Sequence, residues 1–225
     1  MSFFSLLRGL AAWLKVVKNP DRLDEVIVLA DELATPEDLG QMVAAFERDP
    51  RGASALQCRP RLGRVELDQL AALPVGSLGR AFAEHCRAAG IDPADLPSRE
   101  AHDPGSFVLA HLYESHDVWH VVTGFQTDVA GELGLLAFYM GQFPGHLSPL
   151  LLAAGLLNTA LFSFDDRDRR MSAMVRGWLL GQRSAKLFGV DWASWWERPL
   201  IEVQRELDLV VPEVEQVVLL QPVAA

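Results

Sequence analysis

A stretch of 32 residues without a formal charge restricts the fold of this chain more than any other feature. No Asp, Glu, Lys or Arg occurs between Glu132 and Asp165. A transmembrane helix needs about 20 consecutive apolar residues, but glycines and prolines near the middle interrupt this stretch. It is therefore predicted to form two helices, at about 132–142 and 149–163. Three interpretations stay open: buried central helices, the walls of a lipid-holding tunnel, or insertion into a membrane.

Apolar residues recur at helical spacing along nearly the whole chain, and no segment alternates as a half-buried strand does. With 225 residues and 50% hydrophobic content, the chain is long enough to bury a core. We predict an all-α fold, a single-domain multi-helix bundle. Its parts are an N-terminal amphipathic helix at 1–18, a helical domain at 19–210 and a tail at 211–225. Helices are expected to start at Asn19-Pro20 and after a cap at Ser77, and another is expected at about 168–188. Residues 50–64 are expected to form a connection and 165–170 a solvated loop.

The N-terminal segment lacks the order of basic, apolar and cleavage regions that defines a signal peptide. Leu6, Leu10 and Leu14 follow helical spacing, and the basic residues lie mostly away from that stripe. Two interpretations compete, a first core helix with a solvated edge and an interfacial helix that binds a membrane surface. The tryptophans near 192–196 have the same two alternatives, membrane docking or packing of the last helix on the core.

Charge and cysteine content exclude two classes of function. The net charge is −10, with 30 acidic and 20 basic residues, so the basic face of a nucleic-acid-binding protein is not expected. The two cysteines, Cys58 and Cys86, have no CxxC partner. A disulfide framework or a cysteine metal site is therefore not predicted, and a reducing compartment is the simpler interpretation.

The segment HDVWH, residues 116–120, places polar side chains that can bind a metal in an otherwise apolar stretch. On a helix with about 100° per residue, His120 lies about 40° and Asp117 about 100° from His116. The three side chains therefore share one face of the helix and can converge on one point. His111 lies on the far side and is not expected to join them, and Glu114 is poorly placed as a ligand.

Turn signals after this helix predict how a fourth group could join. Gly124 suits a helix C-cap, and Thr127 or Asp128 suits the next N-cap. In a tight antiparallel helix pair that turns near residue 126, the residue opposite His120 is Glu132. The sequence thus predicts that His116, Asp117, His120 and Glu132 form a metal site within a helix-turn-helix pair. Zinc, iron and manganese all accept such ligands, and the ligand set does not choose among them.

Other interpretations of these residues stay open. The two histidines could form a buried hydrogen-bonded pair without a metal. The HD dipeptide also occurs in metal-dependent phosphohydrolases, although no second matching pair is present. Arg80 follows a glycine-containing turn and is a weak candidate for contact with a substrate head group. Alternatively it is a surface arginine paired with Glu84, one helical turn on.

The pattern H-D-x-x-H, eleven residues and then E resembles the signature of the coenzyme Q (ubiquinone) biosynthesis protein 4 family. The segments LPVGSLGRAF at 73–82, DPGSFVLAHLYESHDVWHVVTGF at 103–125 and VDWASWWERPLIEVQRELDL at 190–209 resemble other parts of that family. The similarity extends from about Asn19 to Leu209, and the metal motif matches without substitution. The resemblance implies an all-helical protein with a divalent metal, usually called zinc, next to an apolar prenyl-lipid groove.

The resemblance implies two functions, and the sequence favours the first, because a metal held by four protein groups in an apolar setting could bind the carboxylate of the substrate. One is an enzyme that replaces the carboxyl group on ring carbon 1 of a polyprenylated hydroxybenzoate by a hydroxyl group. The other is a non-catalytic scaffold that binds the prenyl lipid and organises other ubiquinone biosynthesis proteins. Expected partners are this lipid, those proteins and a membrane surface, with a homodimer also considered. The expected location is cytoplasmic and peripheral on the inner membrane in a bacterium, or the matrix face of the mitochondrial inner membrane in a eukaryote.

Overall fold

The computed structural model describes residues 3–20, 22–95 and 99–210, and in that part of the chain every regular element is helical. The prediction of an all-α fold is therefore confirmed. The tail predicted at 211–225 lies outside the described residues. The described α-helices are α1 (Phe3–Lys18), α2 (Leu23–Leu33), α3 (Pro36–Phe46), α4 (Pro50–Cys58), α5 (Leu67–Ala71), α6 (Leu78–Ala89), α7 (Pro104–Thr123), α8 (Val129–Gln142), α9 (Leu147–Phe162), α10 (Arg167–Arg183) and α11 (Leu200–Glu206).

Two segments that the sequence analysis assigned to loops are helical. Residues 50–58 form α4, because Asp49 caps the helix by accepting hydrogen bonds from the Arg51 and Gly52 N–H groups, each at 3.0 Å. Pro50 occupies the first turn, where its missing N–H costs nothing. Residues 165–170 were predicted to be a solvated loop, but they form a 3₁₀ turn and the first turn of α10.

Other helix boundaries differ by a few residues from the predictions. The helix expected to start at Asn19-Pro20 begins at Leu23, because Asn19 instead continues α1 with a backbone hydrogen bond to Lys15. The helix expected near 168–188 ends at Arg183. The tryptophan-rich segment is divided into a 3₁₀ turn, Trp192–Trp195, and the short helix α11.

The described residues fall into two compact units. The first unit comprises residues up to Gln41 together with Asp128–Gln182, and the second comprises Met42–Thr127 and Arg183–Val210. Part of the first unit's core lies where α1, α2 and α9 pack on one another. The buried apolar residues there are Ala12, Val16, Val17, Leu29, Leu151 and Ala154.

Within the first unit, α10 crosses α8 at very short range because both helices present glycines. Gly177 packs against the Gly134 carbonyl group, and Gly181 packs against the carbonyl of Phe138. Any side chain at these positions would overlap the backbone of the neighbouring helix. Helices in this unit therefore approach each other more closely than larger side chains would allow.

Two charged side chains, Glu25 and Arg170, are buried in the described part of the first unit. Arg170 is 5% exposed, and its guanidinium donates to Asn158 Oδ1 at 2.8 Å and to Thr159 Oγ1 at 3.0 Å. It also donates to Asp166 Oδ2 at 2.8 Å. Asn158 in turn donates to the Val17 carbonyl at 2.9 Å, so the buried polar groups satisfy one another. Arg170 is therefore an exception to the predicted solvation of residues 165–170, in which Asp165, Arg167, Asp168 and Arg169 are exposed.

The second unit is built around α6, α7 and α11. Phe107 and Phe188 are fully buried at its centre, and Gly79 brings α6 within close reach of Trp196. Trp192 is also buried, and Arg198 covers the Trp195 ring at 4.3 Å. All three tryptophans at 192–196 thus make contacts within the unit, which is the packing alternative. No helix among the described residues is both long enough and apolar enough to cross a membrane.

Candidate metal centre

The helix that carries HDVWH has well-defined ends. Asp103 caps its N-terminus by accepting from Ser106 N–H at 3.0 Å, and Pro104 occupies the first turn. Gly124 ends the helix in the left-handed conformation, with φ 72°, and its N–H donates to the His120 carbonyl at 2.8 Å. Asp128 caps α8 by accepting from Gly131 N–H at 2.8 Å. The caps predicted at Gly124 and Asp128 are therefore confirmed.

His116, Asp117 and His120 converge on one point, as the helical spacing predicted. One ligand atom from each of the three residues lies within 4.8 Å of the other two. His120 is buried, whereas His116 and Asp117 are half-buried. A group of two imidazoles and a carboxylate at this separation can hold a divalent metal ion and leave a coordination position open for a further ligand.

The imidazole of His120 is held in one tautomer by its surroundings. Its Nδ1 lies 3.1 Å from the carbonyl oxygen of Phe125, which can only accept a hydrogen bond. Nδ1 therefore carries the proton, and Nε2 presents a lone pair to the shared point. Histidine ligands of metals in proteins commonly donate their other ring N–H to a carbonyl group in this way.

The distance between the two imidazoles fits a shared metal ion. The Nε2 atoms of His116 and His120 lie 3.2 Å apart. Two ligands of a tetrahedral zinc ion, each about 2.0–2.1 Å from the metal, are separated by about 3.3 Å. The same distance also fits an N–H···N hydrogen bond from His116 to His120. A metal would replace that hydrogen bond, and His116 would then carry its proton on Nδ1.

Asp117 brings a negative charge into the neighbourhood of Cys86. Burial, together with the negative charges of Asp117 and Asp92, raises the pKa of the Cys86 thiol to about 12. Cys86 consequently stays a neutral thiol at physiological pH. Both Cys58 and Cys86 are free cysteines.

Two predicted site residues are not part of this three-residue group. Glu132 lies in the first turn of α8, in the first unit, and its side chain is half-buried. Its role as a fourth ligand stays a prediction. Arg80 lies in the first turn of α6, where Nε donates to Glu84 Oε1 at 2.9 Å. This is the surface pair named as the alternative, and contact of Arg80 with a substrate also stays a prediction.

The two polar residues judged unsuitable as ligands have other contacts. His111 Nδ1 lies 3.3 Å from the Pro60 carbonyl, and its Nε2 accepts from the Gly189 N–H at 3.1 Å. Glu114 accepts from Arg61 Nε at 3.0 Å and from the Leu62 N–H at 3.2 Å. Both side chains therefore connect α7 to neighbouring loops of the second unit.

A third imidazole close to the centre was missed in the sequence analysis. His85, on α6, has its ring centroid 5.6 Å from that of His120, and the two planes differ by 25°. It is separated from His116 by 31 positions in the sequence. The one sequence signal for His85 is that it lies three residues after the apolar residue Phe82, on the same face of the helix. That spacing indicates that His85 faces the interior of the unit.

Comparison with protein-family models shows the family to which the chain belongs. The family model described as coenzyme Q (ubiquinone) biosynthesis protein Coq4 matches residues 4–213. The chain belongs to the Coq4 family. This confirms the resemblance on which the sequence analysis relied, and it supports a role in ubiquinone biosynthesis.

Individual relatives agree with the family assignment. The chain is 31% identical over 201 residues to the mitochondrial ubiquinone biosynthesis protein coq4 of Aspergillus fumigatus, covering 86% of this chain and 68% of the relative. The corresponding protein of Talaromyces stipitatus gives the same identity and coverage. A crystal structure of a candidate ubiquinone biosynthesis protein from Nostoc punctiforme matches with TM-score 0.78 and 27% identity, over 91% of this chain and 98% of that one.

Proposed function

We propose that this Coq4-family protein is a metal-dependent enzyme of ubiquinone biosynthesis that carries out an oxidative decarboxylation. The substrate would be a polyprenylated hydroxybenzoate, in which the carboxyl group on ring carbon 1 is replaced by hydroxyl. The observation that carries this proposal is the group formed by His116, Asp117 and His120, with His120 fixed in the tautomer of a metal ligand. Zinc is the first candidate for the metal, and iron and manganese are the alternatives.

The balanced equation of this reaction shows what the metal centre and an external oxidant must supply. The net change is Ar–CO₂H + H₂O → Ar–OH + CO₂ + 2H⁺ + 2e⁻, so a two-electron acceptor is required from outside the described residues. A bound divalent metal would supply Lewis acidity, which polarises a coordinated carboxylate or phenol oxygen. A substrate oxygen would take the position left open by the three-residue group, or a fifth position if Glu132 also binds the metal.

The roles of individual residues follow from their positions. His120 would bind through Nε2 while its Nδ1–H stays on the Phe125 carbonyl. Asp117 would either bind the metal directly or accept a hydrogen bond from one of the histidine ligands and so orient its ring. Glu132 is proposed as the fourth protein ligand, on the basis of its predicted place across the turn. Arg80 is a weaker proposal as a head-group contact, because Glu84 already pairs with it.

We further propose that the first unit contacts a membrane surface and the apolar tail of the lipid substrate. Three of its helices and the turn before α10 expose large apolar side chains to solvent. These are Phe4, Leu6, Leu7, Leu10 and Leu14 on α1, Leu150, Leu156, Leu157, Leu161 and Phe162 on α9, Phe164 in the turn, and Met171, Val175, Trp178 and Leu179 on α10. Grouped exposed apolar side chains of this kind support an interaction site. A second copy of the chain is the competing partner.

The location proposed for the protein follows from this surface and from its relatives. The relatives from Aspergillus fumigatus and Talaromyces stipitatus are described as mitochondrial. In a eukaryotic cell we therefore propose the matrix face of the mitochondrial inner membrane, and in a bacterium the cytoplasmic face of the inner membrane. In both cases the protein would be peripheral and would draw its substrate from the bilayer.

The same exposed apolar surface favours a second candidate function. A non-catalytic scaffold would use it to hold the prenyl lipid and to bind other ubiquinone biosynthesis proteins. The scaffold and the enzyme share the lipid and the membrane, and they differ in what they require of the metal centre. Only the enzyme requires the ligands to take part in chemistry.

Conversion of the carboxylated substrate in cells that lack their own Coq4-family protein separates the two functions. Wild type, His120→Ala and Glu132→Gln are compared, with His146→Ala as a control for loss of an exposed histidine outside the centre. The enzyme predicts accumulation of the carboxylated precursor in both site variants, although each protein remains folded and assembled. Normal ubiquinone levels in folded His120→Ala would contradict the enzyme and leave the scaffold.

A further inference from the structure

The third imidazole near the centre, His85, is the feature that the proposed chemistry leaves without a role. Its ring faces that of His120, with centroids 5.6 Å apart and planes within 25° of parallel. By contrast, the His116 and His120 rings are nearly perpendicular, at 84°. The His85 ring, from a different helix, therefore covers the face of the His120 ring. The nitrogens at the edge of the His120 ring point to the Phe125 carbonyl and to the point shared with His116.

The position of His85 is determined by the packing of α6. Ser77 caps this helix by accepting from the Arg80 N–H at 3.3 Å. Phe82 and Cys86, three residues before and one residue after His85, are 1% and 0% exposed. Residues three or four apart share one side of a helix, as Phe82 does with both His85 and Cys86. His85 is thus presented to α7 by a helix with a buried face and a capped end, rather than by a loop.

We propose that His85 is a positioning residue of the metal centre. It packs against the His120 imidazole and keeps its plane fixed, so that the Nε2 lone pair stays directed at the point shared with His116. The inference rests on the proposed metal centre, because only a ligand needs such a fixed direction. His85 does not belong to the group of ligand atoms within 4.8 Å of one another, so it acts through His120.

The physical reason is that one hydrogen bond does not fix a ring. The bond from Nδ1 to the Phe125 carbonyl leaves His120 able to rock about its Cβ–Cγ bond, since hydrogen bonds tolerate a range of angles. A ring stacked on its face blocks that motion. This function requires a flat side chain at position 85 but does not require a nitrogen atom, so phenylalanine should substitute and alanine should not.

Two measurements on the full chain test this inference. The first is the nitrogen NMR spectrum of the histidine side chains in metal-free protein, which reports the tautomer of His120. The second is Zn²⁺ and Co²⁺ binding, with affinity from chelator competition and geometry from the Co²⁺ absorption spectrum. The variants are His85→Ala, His85→Leu and His85→Phe. Glu84→Ala is the matched control, because Glu84 is the adjacent residue on α6 and is exposed.

Removal of the ring should affect both measurements. In His85→Ala and His85→Leu we expect the His120 signals to shift toward a mixture of tautomers. We also expect metal affinity to fall about 10- to 100-fold, the usual effect of losing a group that orients a ligand. The Co²⁺ spectrum should change as well. His85→Phe and Glu84→Ala should stay within about threefold of wild type. His85→Leu fills the site without a ring, so it separates loss of orientation from loss of packing.

The outcomes distinguish this inference from the metal proposal itself. Unchanged His120 signals and unchanged metal affinity in folded His85→Ala and His85→Leu would overturn the role of His85, while the metal centre stands. If wild type binds neither metal, the metal proposal fails and the role of His85 in positioning a metal ligand fails with it, whether or not the variants lose the single His120 tautomer. A phenylalanine variant as defective as the alanine variant would also overturn the inference, because a flat ring would then not suffice.

Discussion

The two compact units of this protein use opposite means to fix their helices. In the first unit, α8 and α10 meet through glycines, and large apolar side chains remain exposed on α1, α9 and α10. In the second unit, buried and half-buried histidines make directional contacts, and α7 carries the candidate metal centre. The comparison indicates that close packing is more prominent in the first unit, despite its Arg170 network, and that placed polar groups are more prominent in the second, despite its close contact at Gly79. Substitutions in each unit test one side of this difference.

The largest effect is expected where the first unit relies on shape. A methyl group in Gly177→Ala would overlap the Gly134 carbonyl, so α8 and α10 would have to separate. We expect a loss of about 3 kcal/mol, which lowers the thermal midpoint by roughly 6–12 °C. Gly40→Ala is the control, because nothing lies within 4 Å of the added methyl group. Equal midpoints for the two variants would show that the glycine contact is not what fixes the crossing.

Removal of the buried arginine tests whether the first unit also depends on a polar group. Arg170→Met would leave Asn158 and Thr159 without their buried donor. We expect a loss of about 2 kcal/mol, since the remaining groups stay desolvated and Asp166 is partly exposed. The control is Arg169→Met, whose side chain is exposed and should cost about 1 kcal/mol or less. Chemical denaturation measures the loss of stability in both variants. Equal losses would show that Arg170 contributes no more than an exposed ion pair does.

In the second unit, stability should fall at acidic pH because of His111. Burial lowers the pKa of His111 from 6.5 to about 4, although a hydrogen bond to Pro60 opposes this shift. Between these two values the unfolded chain binds a proton that the folded protein excludes. The free energy of unfolding is therefore not reduced by His111 above pH 6.5, and it decreases as the pH falls from 6.5 toward 4.

The size of this pH effect can be measured against a variant that does not titrate. From pH 7 to 4.5 the His111 contribution should amount to about 2 kcal/mol. His111→Gln keeps one donor and one acceptor but cannot be protonated, so its denaturation midpoint should depend less on pH than that of wild type. The same pH dependence in both proteins would assign the acid sensitivity to other groups.

Substitutions on the exposed side of α9 should change the stability least, but they should clearly weaken binding to lipid vesicles. Leu157→Ser with Leu161→Ser should alter folding by less than about 1 kcal/mol, because both side chains are exposed. Flotation with vesicles of zwitterionic and anionic lipids should show weaker binding by roughly tenfold, given about 1.5 kcal/mol or less for each leucine. Val75→Ser is the control, an exposed apolar residue of the second unit. Unchanged flotation with a lowered mass by light scattering would instead assign the surface to a second copy.

Local sequence signals predicted the ends of the key helices well. The caps at Ser77, Gly124 and Asp128 depend on residues within three or four positions, so the sequence contains the whole interaction. The grouping of His116, Asp117 and His120 likewise follows from helical spacing alone. These parts of the fold and of the centre are therefore encoded locally and can be predicted from the amino-acid sequence.

The parts that the sequence did not reveal depend on contacts between distant segments. Arg170 belongs to a strongly charged segment and is buried only because Asn158 and Thr159 on α9 provide acceptors. The helix α4 is an exception, because its Asp49 cap is local, but the Pro and Gly content of the segment outweighed that signal. His85 reaches the centre through the packing of α6 on α7, which no spacing within one helix encodes.

The central claim is that HDVWH holds a metal, and elemental analysis of the purified protein by plasma mass spectrometry tests it most directly. Wild type, His120→Ala and the control His146→Ala would be measured after the same purification. We predict about one metal ion per chain in wild type and His146→Ala, and its loss in folded His120→Ala. A wild-type protein without stoichiometric metal, or a His120→Ala variant that retains it, would contradict the account. His116 and His120 would then be a hydrogen-bonded pair.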